Sequence, residues 1–333
     1  MNLATRLALV LSLCAACTGG PEPEDEWQVV RSGLPGALLS VWGTRSTDVW
    51  VVGGDTRDGN GPTVLRYDGE SWSRTPTGQP AGDLWWVFGF DGGPVYVGGD
   101  GGMILRYQDG AFTPMSTPGT NTVFGIWGAS PNDVWAVGGA SDGAGGFAWR
   151  LSGDTWVPEP SVPADVATSA AIWKIYGVAA DNAWLVGSNG VALHWDGSTL
   201  TPGDTGIGSS LFTVHAREGR WAAVGGSASG IIIERSGDTW QNVTPDPPPQ
   251  GLAGVTLGAG GFGVAVGTFG EVYTRSDAGW APADLGFTVG QNLHGSWIDE
   301  RGGVWAAGGQ TFSTPYVDGI LLHRGATISD EGL

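Results

Sequence analysis

Two stretches of the sequence decide the fold: Ser40–Trp72 (SVWGTRSTDVWVVGGDTRDGNGPTVLRYDGESW) and Gly125–Trp156 (GIWGASPNDVWAVGGASDGAGGFAWRLSGDTW). The second is a copy of the first, and more diverged copies bring the number to seven. Each copy contains four short apolar runs separated by turn signals such as Asp68-Gly69. The copies are about 42 residues apart, which is the period of propeller blades. We therefore predict an all-β, seven-bladed β-propeller of four-stranded antiparallel blades.

The composition agrees with this fold. Of 333 residues, 60 are Gly and 18 are Trp, and 41% are hydrophobic while only 14% are charged. The Gly excess alone would favour disorder, but a disordered chain lacks the apolar residues that build a core. The low charge disfavours a helical protein, whose outer helix faces must be solvated. We expect the Gly residues in turns and a helix content near zero.

The Trp residues divide into two groups. Eleven recur at equivalent repeat positions, as Trp50 and Trp135 do, and are expected to fill the gaps between blades. Trp27 joins them if the ring closes as predicted below. Six lie off the pattern and are better candidates for contacts with a ligand: Trp85, Trp86, Trp149, Trp173, Trp195 and Trp221.

The N-terminal end of the repeat region predicts how the ring closes. Residues 25–30 (DEWQVV) look like the fourth strand of a blade without its first three strands. An open propeller would expose strand edges. We therefore predict that Trp27–Arg31 pairs with the last blade.

The first 26 residues predict export. Arg6 precedes an apolar run, Leu7–Leu13, that is too short to span a bilayer, as in a secretory signal peptide. The following Ala15-Ala16-Cys17 resembles a bacterial lipobox, whose Cys is lipidated; an ordinary cleaved signal ending near Ala16 is the alternative. We expect residues 1–16 to be a signal peptide, Cys17 to carry lipid, residues 17–26 to form an acidic tether, and residues 27–333 to form the propeller. Thr18, which is not the Asp that retains lipoproteins at the inner membrane of enteric bacteria, favours the outer membrane or cell surface of a bacterium.

The net charge of −18 excludes two classes of partner. Nucleic acid needs a basic surface to contact its phosphates. Anionic membranes likewise attract basic segments. Membrane contact is therefore expected through the N-terminal lipid alone.

Loops of unequal length predict the binding face. Connections between the second and third strands are long in the first, third and last copies, and in a propeller they share one face with the connections between blades. We expect this face to bind a protein or glycan partner. The candidate residues are Asp55, Asp58, Asn60, Asp142, Phe312 and Tyr316.

One of these loops contains oxygen ligands at short spacing. Asp55, Asp58 and Asn60 could hold Ca²⁺. The loop does not match the calcium pattern D-x-D-x-D-G, so a solvated loop is favoured. We expect no metal site and no cofactor.

The repeat pattern VWG…DVWAVG…ILRYDG..W resembles the propellers of secreted bacterial lipoproteins, which are similar to BNR/Asp-box, Ycf48-like and, more distantly, tectonin repeats. Shortened Asp-boxes occur at Ser152–Trp156, Ser236–Trp240 and Ser276–Trp280. The resemblance covers Trp27 to the end and implies the propeller fold, with the box as a structural turn. Ycf48-like proteins bind their partner through an Arg patch, which this acidic chain does not show.

These observations favour a non-enzymatic function, since no catalytic constellation is evident. We expect a membrane-anchored, extracytoplasmic monomer that acts as a binding or scaffold module. The alternative is an Asp-box-type glycan hydrolase with its site in the central channel, which would need an Arg triad, a Tyr nucleophile and acids. A structural envelope component without a defined ligand is a third hypothesis.

Overall fold

A computed structural model describes residues 26–333, and in this range 28 β-strands form seven sheets. The chain enters through β1 (Trp27–Gly36). The strands of blades 1 to 4 follow in groups of four: β2 (Leu38–Arg45), β3 (Asp48–Asp55), β4 (Pro62–Tyr67), β5 (Trp72–Arg74); β6 (Leu84–Gly89), β7 (Val95–Gly99), β8 (Ile104–Gln108), β9 (Ala111–Pro114); β10 (Thr122–Ser130), β11 (Asp133–Gly139), β12 (Phe147–Ser152), β13 (Thr155–Pro158); β14 (Ile172–Ala179), β15 (Asn182–Gly187), β16 (Ala192–Trp195), β17 (Leu200–Pro202). The strands of blades 5 to 7 are β18 (Leu211–Arg217), β19 (Arg220–Gly225), β20 (Ile231–Ser236), β21 (Thr239–Asn242); β22 (Leu252–Leu257), β23 (Gly263–Gly267), β24 (Val272–Ser276), β25 (Gly279–Pro282); β26 (Asn292–Ile298), β27 (Val304–Gln310), β28 (Val317–Arg324).

The predicted seven-bladed β-propeller is confirmed. In blades 1 to 6 the four strands lie in chain order, each antiparallel to the next. The first strand of every blade contacts the first strands of the neighbouring blades, so these seven inner strands surround a central channel.

The ring closes with a strand from each end of the repeat region, as predicted. Strand β1 pairs antiparallel with β28, from Trp27 opposite Arg324 to Gly36 opposite Val317. The closing strand is longer than the predicted Trp27–Arg31. The C-terminal segment adds a second connection, because the backbone N–H of Trp72 in blade 1 donates to the carbonyl of Glu331 (2.8 Å). Blade 7 is thereby bound to blade 1 on its outer side as well as at the channel.

Aromatic packing between blades accounts for the recurring Trp residues. The core consists of seven hydrophobic clusters, each formed by two adjacent blades. Trp305 on the second strand of blade 7 meets Trp72 on the outer strand of blade 1 with ring centroids 6.0 Å apart. Trp184 and Trp240 repeat this contact between blades 4 and 5 at 5.4 Å. The edge-to-face geometry adds to the apolar burial, so the recurring Trp residues of the second and fourth strands are structural.

Short helical segments are the main departure from the expected all-β chain. One α-helix, α1 (Ala164–Ser169), lies in the connection between blades 3 and 4. Single 3-10 turns occur at Asp100–Gly102, Ser188–Gly190, Ala259–Gly261 and Thr268–Gly270. Among residues 26–333, no helix is long and apolar enough to cross a membrane. The near-absence of helix was therefore a good expectation, and the exceptions are single turns.

Candidate functional site

All seven inner strands carry the same irregularity near their beginning, where one residue has no partner on the second strand. In β6 this residue is Trp85, because Leu84 pairs with Gly99 and Trp86 pairs with Gly98. The extra residue of such a bulge redirects a side chain out of the regular alternation. From blade 1 to blade 7 the bulge residues are Leu39, Trp85, Phe124, Trp173, Phe212, Ala253 and His294.

Six of these bulge residues line a cavity of about 370 Å³, and Leu39 alone does not. We call it the upper cavity, and we call the face on which it opens the upper face; loops between second and third strands contribute to its lining. Ring centroids are 5.2 Å apart for Trp85 and Phe124, 4.8 Å for Phe124 and Trp173, and 6.3 Å for Trp173 and Phe212. We call these four rings the aromatic arc; they form an apolar wall of the cavity. The cavity volume of about 370 Å³ is typical of ligand pockets.

Lys174, the only lysine of the chain, lies directly after the bulge of blade 4 and lines the upper cavity. Its side chain is buried, its Nζ donates a hydrogen bond to the carbonyl oxygen of Phe124 (2.5 Å), and the Nζ lies 4.2 Å from the ring centroid of Trp86. Gly125 makes room, since a Cβ there would come within 3.2 Å of the Lys174 Cα. Burial lowers the pKa of Lys174 to about 7.

His294 and Tyr316 complete the lining on the side of blade 7. The Nδ1 of His294 lies 2.6 Å from the carbonyl oxygen of Leu39, to which it donates as the neutral tautomer. Burial and the charge of Lys174 lower the pKa of His294 to about 4. Burial raises the pKa of Tyr316, and the carboxylates of Asp83 and Asp100 raise it further. Both side chains are therefore uncharged at neutral pH.

Two exposed phenylalanines stand at the rim of the upper face. Phe312 is 64% exposed and Phe269 is 57% exposed, with ring centroids 6.4 Å apart. Phe269 has φ of 55°, in the left-handed region that Gly and Asn tolerate best. The corresponding turns of blades 2 and 4 place Gly101 and Asn189 at this position. Blade 6 therefore keeps a strained, solvent-exposed aromatic residue where its sister blades do not.

A second, lower cavity of about 120 Å³ lies further along the channel. Its lining includes residues that the sequence aligns at one repeat position, among them Trp42, Trp127 and Trp297. Counting along the repeat alone would put Leu257 at this position in blade 6, but the strand register puts Thr256 there, opposite Val264. Leu257 instead packs in the cluster between blades 5 and 6. A shift of one residue exchanges the two faces of a strand, which is why Thr256 and not Leu257 faces the channel.

The structure brings Phe312 and Tyr316 to the upper cavity, together with Ser141, which precedes the predicted Asp142. The carboxylate of Asp142 accepts the backbone N–H of Ala144 (3.1 Å) and is exposed. These residues lie in the loops of blades 3 and 7, as the sequence predicted.

The other three candidates hold their own loops together. Asp55 is buried, and its carboxylate accepts the backbone N–H of Arg57 (2.8 Å). The carboxylate of Asp58 accepts the N–H of Asn60 (2.9 Å) and pairs with Arg74 (3.1 Å). These three candidates do not line the upper cavity, and the part of the chain that the structure describes has no cluster of three metal-ligating side chains. The loop is thus less solvated at Asp55 than expected.

The six off-pattern Trp residues separate by location. Trp149, Trp195 and Trp221 are buried in the clusters between blades. Trp85 and Trp173 line the upper cavity, and Trp86 lines the lower one. Half of this group therefore faces the channel.

Sequence reasoning missed Phe124, Lys174, Phe212, Phe269 and His294. The available signal was an aromatic residue directly after the first apolar residue of the inner strand in four successive repeats, and the single lysine among 15 basic residues. Neither signal indicates a channel until the bulge shows which way the side chains turn.

Comparisons with known proteins support the fold. The streptogramin B lyase structure matches with a TM-score of 0.69 at 14% identity, covering 89% of this chain and 96% of that one. A structure described as YCF48 bound to D1 peptide matches at 0.66 and 14% identity, covering 92% and 100%. YCF48 from Cyanidioschyzon merolae matches at 0.66 and 18% identity, covering 90% and 98%. No protein-family model and no curated protein sequence matches the chain. The chain is thus a seven-bladed β-propeller, a class whose similar structures include an enzyme and a peptide-binding protein.

The predicted lipid-attachment residue, Cys17, lies outside the described residues, as do the predicted signal peptide and nearly all of the tether. Their roles stay predictions from the sequence.

Proposed function

We propose that this protein is a non-enzymatic binding propeller whose upper face takes up a segment of a partner protein. The observation that carries the proposal is the pair of exposed rings, Phe269 and Phe312, beside the aromatic-lined upper cavity. Aromatic residues, Phe among them, are enriched at protein interfaces relative to the rest of the surface.

The strain at Phe269 supports a role in binding. A non-Gly residue in the left-handed region costs about 1–2 kcal/mol, and such strain is concentrated at functional sites. An exposed side chain does not repay this cost by packing in the core. Blades 2 and 4 show that the same turn forms with Gly101 or Asn189 instead.

The similar structures add a separate argument. One of them is described as bound to a peptide. That similarity is one of fold, and the Arg patch of Ycf48-like proteins has no counterpart in the lining of the upper cavity. The partner of this chain is therefore expected to be held by apolar contacts rather than by ion pairs.

The hydrolase alternative has less support from the cavity. Most glycoside hydrolases use two carboxyl groups that flank the scissile bond. The residues that line the upper cavity, within the described range 26–333, include neither Asp, Glu nor Arg. Tyr316 is the only tyrosine among them, and its raised pKa disfavours a nucleophilic role.

We further propose that the propeller is exported and displayed from the outer membrane or cell surface through lipid on Cys17. The proposal rests on the sequence of residues 1–17 alone. Metabolic labelling with an alkyne fatty acid tests it: the full-length protein should be labelled and the Cys17→Ala variant should not. An unlabelled wild-type protein in a bacterial envelope would refute the anchor without affecting the binding proposal.

Site-specific photocrosslinking in the native envelope tests the binding function. A photoreactive phenylalanine analogue at position 312 should give a discrete crosslinked protein. The matched control is position 178, because Val178 is 52% exposed at the opposite end of an inner strand. Equal crosslinking from both positions would contradict a binding face at the rim. A glycan array with the purified protein distinguishes a sugar ligand, and release of sugar products would favour the hydrolase.

A further inference from the structure

Lys174 is a buried amine, and no carboxylate among residues 26–333 forms an ion pair with it. Its side-chain contacts within the described residues are the carbonyl oxygen of Phe124 and the ring of Trp86. The lining of the upper cavity includes no Asp or Glu, although the chain carries 33 of them. A buried charge without a partner is costly, so proteins normally pair it or omit it.

The fold does not require a lysine at this place. The corresponding residues after the other six bulges are Ser40, Trp86, Gly125, Thr213, Gly254 and Gly295. None of them carries a charge. Among the seven blades, Lys174 is therefore a feature of blade 4 alone, and it lines the upper cavity. The free-energy cost of burying its charge suggests that the residue has a function there.

The surroundings of Lys174 define the chemistry of a ligand. The aromatic arc offers flat apolar surface, and Lys174, whose Nζ is hydrogen-bonded to the carbonyl of the arc residue Phe124, lines the same cavity. A volume of about 370 Å³ lies in the range of small-molecule sites. The net charge of −18 repels anions at long range, but physiological salt screens exposed charges beyond about 8 Å.

We propose that the upper cavity binds a small organic anion with an aromatic or apolar body, whose carboxylate pairs with Lys174 while its body packs against the aromatic arc. This site goes beyond the proposed function, since it lies inside the channel and does not need a partner protein. The carboxylate supplies the counter-charge that the cavity lining lacks, and the apolar walls strengthen the pair.

The remaining titratable groups that line the cavity do not interfere. His294, from β26, has a pKa near 4, and Tyr316, from the loop between β27 and β28, has a raised pKa. The lining residues of β6, β10 and β18 include no titratable side chain. Among the groups that line the cavity, Lys174 is therefore the one whose pKa lies between 5 and 9. Behind the wall, the carboxylate of Asp100 accepts the indole N–H of Trp85 (3.0 Å), and burial raises the pKa of Asp83.

Titration calorimetry with the matched probes 4-phenylbutyrate and 4-phenylbutyramide tests the proposal on the wild-type propeller. The two probes share a ring and chain, and only the first is an anion. We expect the carboxylate to bind at least tenfold more tightly than the amide at pH 6. Its affinity should fall as pH rises above about 7, because the free site then loses its proton. No binding of either probe, or equal binding of both, would overturn the proposal.

Two variants test separately how the charge of Lys174 and the aromatic arc contribute to binding. Lys174→Met should remove the preference for the carboxylate and leave amide binding unchanged, while Phe212→Ala should weaken both probes. Val178→Ala, at the opposite end of the propeller, is the control and should change neither. Carboxylate binding that persists in Lys174→Met would show that another group holds the anion. Because the comparison of probes uses the wild-type protein, it decides the matter even if a variant fails to fold.

Discussion

The guanidinium of Arg275 in blade 6 forms a buried ion pair with Glu234 in blade 5, with 2.5 Å between Nε and Oε1. The indole N–H of Trp280 donates to the same carboxylate oxygen (2.7 Å), and Arg220 donates to the other one (3.0 Å). In blades 1 and 3 the third-strand position of Glu234 is occupied by an Arg, which covers the Trp of the second strand, as Arg66 covers Trp50. Blade 5 has the small Ala222 in place of that Trp, and its third strand carries Glu234 opposite it. An ion-pair network thus replaces aromatic packing at one blade interface.

Removing the charge of Glu234 should destabilise the protein strongly. Glu234→Gln leaves the buried Arg275 without its counter-charge, and breaking one partner of a buried pair typically costs about 3–5 kcal/mol. Urea denaturation at pH 7 measures the change in the free energy of unfolding. Asp154→Asn, which removes a carboxylate from an exposed ion pair with Arg106, is the control and should cost at most about 1 kcal/mol. A loss as small as the control would contradict the assignment.

The pH dependence of this network has a definite sign. Burial alone would raise the pKa of Glu234, but hydrogen bonds from Arg275 and Trp280 outweigh it and hold the pKa below its usual value. The stabilisation is therefore complete above the unfolded pKa, near 4.5, and is lost as pH falls through the lower folded value. The stability difference between wild type and Glu234→Gln should shrink as the solution is acidified.

The closing strand should be essential to stability. Deleting residues 22–31 removes Trp27 and the start of β1, which leaves the edge of β28 unpaired. We expect the melting temperature to fall by about 10 °C or more. At about 2–4 °C per kcal/mol, the value for domains of 150–250 residues, this corresponds to a loss of several kcal/mol of stability. The milder variant Trp27→Ala should lower it less. An unchanged melting curve for the deletion would refute this role of β1.

Replacing the strained Phe269 should raise the stability of the protein and weaken binding of the partner. Phe269→Asn places at this turn the residue that blade 4 uses, and it should raise the free energy of unfolding by about 1 kcal/mol. The reciprocal variant Asn189→Phe should lower it by a similar amount. Crosslinking of the partner from position 312 should fall in Phe269→Asn. A variant that gains no stability would show that the turn is not strained.

The double variant Phe312→Ala, Tyr316→Ala should abolish partner binding and leave the fold intact. Phe312 is largely exposed, and Tyr316 lines the upper cavity, where its ring meets that of Trp85 with centroids 5.2 Å apart; neither residue belongs to the hydrophobic clusters between blades. Circular dichroism confirms the fold, and affinity for the crosslinked partner gives the effect. Retained affinity would count against the upper face as the binding surface.

The burial of Lys174 should make stability depend on pH in the opposite direction to Glu234. Its folded pKa of about 7 lies below the unfolded value of 10.5, so the unfolded chain binds more protons between these values and stability rises with pH. Each unit of this difference corresponds to about 1.4 kcal/mol. Lys174→Met should therefore be more stable than wild type at pH 6, with a gap that narrows towards pH 10. Parallel stability curves would contradict a buried amine.

The sequence by itself determined the architecture of this protein. Copies such as Ser40–Trp72 carry four apolar runs at a fixed period, and Trp27–Arg31 supplies the unmatched strand that closes the ring. Such patterns are local, because each blade repeats the same alternation of buried and exposed positions. They also placed Phe312 and Tyr316 in a long loop of the last blade, because unequal loop lengths can be read from the sequence.

Only the tertiary structure decided the interior of the channel. The bulge that turns Trp85 and Trp173 towards the axis depends on how each inner strand pairs with its neighbour, and a one-residue shift exchanges the faces, as Thr256 shows. The burial of Lys174 and its contact with Trp86 arise between blades that are far apart in sequence. A repeat pattern describes each blade alone, whereas the chemistry of the channel comes from seven blades meeting at one axis.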